Sequence, residues 1–171
     1  MISLLEELGK KNPRYSMKHR KLIDSLARKG ARDYHESSED VYELGKFFNS
    51  FYEFYIYAAF IGLYQNNPVP LYKEHKTNTF SVPMRDWVAN NAFTSVQYLW
   101  MSAIVKSGID LNKMEEMEDE EAAKEIIKIK DLIEAYANGG FEYISSLAEE
   151  NPAFFEDDDC FVKLLNTINN G

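Results

Sequence analysis

Cysteine is nearly absent: Cys160 is the single thiol among 171 residues. One thiol closes no intrachain disulfide, so the fold is expected to hold without an oxidising compartment. Glycine and proline are sparse, at 8 and 5 residues. That is well under their usual combined share of about 12 % and disfavours a turn-rich all-β protein. The three histidines, His19, His35 and His75, show no HxH, HExxH or Glu-x-x-His spacing. No metal site is therefore expected. Neither GxxxxGK[ST] nor GxGxxG occurs, so a phosphate-cradling glycine loop is not expected, and no cofactor is implied. The longest strongly apolar run, FYIYAAFIGLY at 54–64, has eleven residues, too few to span a bilayer as a helix. Glu6 and Glu7 stand where a signal peptide would need its apolar centre. These absences together lead to the expectation of a cytoplasmic chain.

What is present suits one domain over residues 1–171. Hydrophobic residues make up 45 % and aromatics 14 %, ample for a core. The periodicity predicts a mainly α fold of five or six helices around a central apolar helix at about 47–65. Gly62 within that helix suggests close packing by a neighbour. Two short extended pieces around Leu71 and Phe80 suggest a small β-hairpin at about 69–82. Pro83 is expected to open a helix to about Lys106, its apolar stripe beginning at Trp87, and Gly108 to end it. Six acids in EEMEDEE (115–121) precede an apolar-periodic helix, where the macrodipole favours them. Asn138-Gly139-Gly140 has the residues of a left-handed helix end and predicts a bend there. The acidic 148–171 segment is expected to finish in a last helix.

Charge is unevenly placed. Residues 10–32 hold nine Lys or Arg and one acid, Asp24, a local +8 within a chain of net −9, so the remainder sums to −17. Asn12-Pro13 reads as a helix start. Over 13–29, Leu22, Ile23, Leu26 and Ala27 share one face, with Arg14, Lys18, Lys21, Arg28 and Arg32 opposite. This basic amphipathic helix is a candidate docking edge for a polyanion or an acidic protein surface. It could equally neutralise the chain's own acids at 115–121 or 156–159. No set of residue types converges on a catalytic role, and acids around Cys160 oppose thiolate formation. The aromatics between Phe47 and Phe60 could stack on bases, but their helical spacing reads more simply as core, with any exposed remainder a protein contact.

Two stretches, YIYAAFIGLYQNNPVPL (55–71) with TFSV (79–82) and IEAYANGGFEYI (133–144), resemble small accessory proteins encoded beside DNA phosphorothioation (Dnd) and related phage-defence genes. The resemblance spans about 47–144 and rests on packing and turn motifs. It implies a context, bacterial DNA modification or defence, and brings no catalytic residue with it. The expectation is a non-enzymatic accessory or adaptor acting through protein contacts. A nucleic-acid-binding module using the basic helix is the alternative.

Overall fold

Ser50 starts the central helix. Its hydroxyl accepts from the Glu53 amide, and the Glu53 carboxylate accepts from the Asn49 amide, a reciprocal cap that satisfies two otherwise orphaned donors. The computed structural model describes residues 3–27, 47–87 and 93–169. Among these the order is α1 (Leu4–Gly9), β1 (Arg14–Ser16), a 3₁₀ turn (Met17–His19), α2 (Arg20–Leu26), α3 (Phe51–Tyr64) and β2 (Thr77–Thr79). A second 3₁₀ turn (Met84–Asp86), α4 (Phe93–Ser107), α5 (Leu111–Glu116), α6 (Asp119–Glu150), a third 3₁₀ turn (Pro152–Glu156) and α7 (Cys160–Asn169) complete it. The mainly α expectation holds, with one short antiparallel two-stranded sheet beside the helices.

α3 and α6 form the axis of the molecule. α3 has no polar face, and seven of its fourteen residues are buried. α6 is 32 residues long, its first turn carrying Asp119, Glu120 and Glu121, the side on which the dipole favours anions. Residues 133–141 of α6 are all buried, so its middle is covered on every side. The two helices run antiparallel at backbone contact. A Cβ on Gly62 would lie 1.9 Å from the Tyr136 carbonyl oxygen, and one on Gly140 would lie 1.8 Å from that of Ala58. A Cβ on Gly139 would lie 1.9 Å from the Asn67 oxygen, on the loop that follows α3. That loop is fixed to α6 by the Val69 amide donating to the Ala135 carbonyl at 2.9 Å.

The predicted bend at Asn138-Gly139-Gly140 is therefore wrong: α6 runs through it, and neither glycine has positive φ. The glycines are there because a side chain would collide with α3 and its loop. Each costs the helix about 1 kcal/mol in propensity, and close packing offsets it. Gly62 has the expected neighbour. Gly108 does end α4 in the left-handed region, at φ 69°.

The N-terminal basic segment is not one helix. Pro13 is buried and Arg14–Ser16 is a strand. The Asn12 side chain caps nothing there, but donates to the Phe80 carbonyl at 3.2 Å. Only Arg20–Leu26 is α-helical, ending in extended Ala27. Arg28, Arg32 and the remainder to Lys46 lie outside the described residues. β2 falls within the predicted hairpin region, but its partner is β1, in the register Arg14↔Thr79 and Ser16↔Thr77. No strand forms around Leu71. The central helix starts at Phe51, leaving 47–50 non-helical. Pro83 precedes a short 3₁₀ turn rather than a long helix, and α4 starts at Phe93. Trp87 is buried, its indole N–H donating to the Val82 carbonyl at 3.0 Å. The aromatics of α3 divide between two clusters. Tyr52 and Tyr55 meet Phe80 and Trp87. Phe54 meets Phe48, Phe141 and Phe161.

An exposed helical glycine gains stability when changed to alanine. At Gly140 the sign reverses: Gly140→Ala should lower the unfolding free energy by at least about 1–3 kcal/mol, because the new methyl meets backbone. Urea titration followed by circular dichroism measures it, and a gain in stability would refute the crossing. Ile61→Ala, which empties a fully buried site on α3, should cost about 2–5 kcal/mol in the same titration.

Candidate functional site

Arg14, first of the predicted docking residues, points inward. Its Nε and Nη2 donate to Glu134 Oε2 at 3.0 and 2.7 Å, and its amide donates to Glu134 Oε1 at 2.8 Å. Lys130 Nζ adds a fourth donor at 2.9 Å. Glu134 is 1 % exposed, and a buried carboxylate persists only when paired and hydrogen-bonded. The Glu134 bond raises the pKa of Arg14. Lys18 pairs with Glu142, whereas Lys21 is exposed. The described part of the segment is thus fastened to α6 through Arg14 and Lys18; what Arg28 and Arg32 meet lies outside the described residues.

His19 makes a second link to α6. Its ring is 2 % exposed and stacked on Phe141. Asn138 Nδ2 donates to the Val69 carbonyl at 3.0 Å, which leaves Asn138 Oδ1 to accept from His19 Nε2 at 3.0 Å. The Nε2–H tautomer follows, and Nδ1 accepts from the Ser145 hydroxyl at 3.3 Å. Ser145, His19 and Asn138 follow the order nucleophile, base, orienting group, but the stacked, enclosed ring makes them an interior bridge. Burial lowers the His19 pKa below 6.5, opposed by the Asn138 bond and Glu142. Cys160 is buried. Among the described residues no group of three or more His, Cys, Asp or Glu is arranged to hold a metal.

The open surface feature is apolar. A groove of about 750 Å³ lies between α3, α4 and α7. α3 supplies Tyr57, Phe60 and Tyr64, and α4 supplies Tyr98, Met101 and Val105, with Leu165 from α7. In both helices the spacing is i, i+3, i+7, one face of a helix. Tyr64 is 60 % exposed, Tyr98 59 %, Met101 57 % and Val105 79 %. The core face of α4, with Val96, Leu99, Trp100 and Ala103 buried, is the stripe that the periodicity singles out. The second stripe escapes such a reading, although apolar residues on two faces of one helix were its signal. Among the described residues Lys106 is the one charged residue lining the groove.

The family described as DNA sulphur modification system-associated protein 4 matches residues 17–165. The chain belongs to this family. No curated protein and no solved structure matches it. The match is wider than the sequence resemblance at 47–144, which it bears out. In this DNA sulphur modification system-associated protein the matched region takes in the glycine crossing, the His19 bridge and all of the groove. Arg14 falls just before it. Among the described residues no helix is long and apolar enough to cross a membrane.

Glu134→Ala would leave the Arg14 amide without its acceptor and the guanidinium with Asp131 at 3.7 Å, and should cost about 3–5 kcal/mol in thermal or urea unfolding. His19 contributes stability that depends on pH. Its folded pKa lies below 6.5, so on acidification the unfolded chain takes up the proton first. The contribution is present above about pH 6.5 and is lost below it, with a slope of at most about 1.4 kcal/mol per pH unit. His19→Gln should flatten the fall in urea midpoint between neutral and mildly acidic pH. An unchanged slope in that variant would contradict the assignment.

Proposed function

We propose that this protein is a non-enzymatic accessory of a bacterial DNA-modification or defence system, working by protein–protein contact through the α3–α4–α7 face. The observation that carries the reading is the exposed apolar stripe on α4, continued by partly buried Tyr57 and Phe60 and exposed Tyr64 on α3. A contiguous apolar patch with aromatic and methionine side chains is the composition of a contact surface. Arg14 and Lys18 are engaged within the chain, which weakens the basic segment as the main docking edge. Val105→Glu, at an exposed position, should leave the fold intact and reduce co-purification with the system's other proteins from the native host about tenfold or more. Undiminished co-purification would overturn the reading.

Direct nucleic-acid binding is a second reading, favoured by the β1–β2 pairing. The Met17 amide donates to the Lys76 carbonyl, which brings Lys76 near the start of the segment that carries Lys18 and the exposed Lys21. Retention of the protein on duplex DNA, falling steeply with salt and weakened by Lys21→Glu, would support it. Salt-independent or absent retention would remove it.

A further inference from the structure

We propose that a second copy of this chain occupies the α3–α4–α7 face, in a two-fold dimer. The inference rests on that face making protein contacts and names the first partner. One observation favours a copy of the chain over an unrelated helix, and two more are compatible with it.

The face carries both halves of a complementary pair. Phe60 and Ile61 line the groove beside α3. The α4 stripe of Tyr98, Met101 and Val105 forms its other wall and is an exposed ridge, more than half accessible at each position. A two-fold axis puts the same patch on both sides, so each ridge can enter the other's groove. Such i, i+3, i+7 anchors are what an apolar groove accepts. A single foreign helix in the groove would cover the floor and leave the outer side of the α4 ridge in water.

Charge points the same way. Each copy has net charge −9, so two copies repel across most of their surfaces. Among the described residues none that lines this groove is a carboxylate. The one cation among them, Lys106, is held by Asn66 Oδ1 at 3.0 Å. Self-association of an acidic chain is least opposed through such a face.

The area is compatible with a dimer. The exposed fractions of Tyr64, Tyr98, Met101, Val105 and Leu165 amount to roughly 500–600 Å² per copy at ordinary residue sizes, the upper end of the largest apolar patch on a typical monomer. Two copies together would bury about 1,000–1,200 Å², about the minimum for a specific interface.

Sedimentation equilibrium on the full chain, over about a hundredfold range of concentration, tests the proposal. The expected result is a mass twice 19.8 kDa. Val105→Glu should raise the dimer dissociation constant at least tenfold while circular dichroism stays unchanged. Should that variant fail to fold, Tyr98→Lys, at the other end of the ridge, replaces it. A wild-type chain that is monomeric throughout overturns the proposal, as does a dimer whose dissociation constant both variants leave unaltered. A monomeric wild type whose co-purification is still lost in Val105→Glu would refute the dimer and keep the adaptor reading. A broken dimer with co-purification intact would do the reverse.

Discussion

Everything else in this molecule depends on the close approach of α3 and α6. Gly62, Gly139 and Gly140 remove the three side chains that would hold the helices, and the loop after α3, apart. Backbone then meets backbone, and a long helix passes through the middle of the fold with residues 133–141 wholly enclosed. Interiors are packed at crystal-like density and transmit strain. A methyl group at this crossing therefore has nowhere to go, whereas one at Gly108 would meet nothing within 4 Å.

Enclosing the middle of α6 creates a second constraint. The enclosed turns carry Glu134 and Asn138, both buried polar groups. Each is satisfied by residues far away in sequence: Arg14 for the carboxylate, His19 and Val69 for the amide. The N-terminal segment is drawn onto α6 by these bonds, and its cations neutralise acids of the same chain. Local helix propensity over 13–29 is modest beside the cost of leaving a buried carboxylate unpaired. That explains why Arg14–Ser16 is a strand and why β2 finds its partner there.

With Arg14 and His19 of the N-terminal segment bonded to α6, the most distinctive outer surface among the described residues is apolar. α4 packs one stripe into the core and presents another, with α3 and α7, to solvent. A Dnd-associated accessory protein that works by contact would use such a surface, which the described residues leave exposed.

Features set by local chemistry were legible in the sequence. The apolar run at 51–64 is a helix whose start is set by the Ser50 cap and whose interior lacks proline. The acids before Ala122 crowd a helix start because the dipole rewards them there, and Gly108 adopts a left-handed end that few other residues accept. The groove was legible only as an expected aromatic remainder, since periodicity records that a helix has two apolar faces without recording which one the core takes. Asn138-Gly139-Gly140 was beyond a local reading altogether. The same three residues can cap a helix or let another backbone touch it, and the choice lies with α3, some seventy residues earlier. Likewise the strand at Arg14 exists because Glu134 needs its amide. Sequence by itself determined the helical class and the ends with their own capping chemistry. Tertiary structure decided whatever depended on a distant partner, because a buried polar group or a missing Cβ acquires its energetic meaning only from what stands opposite it.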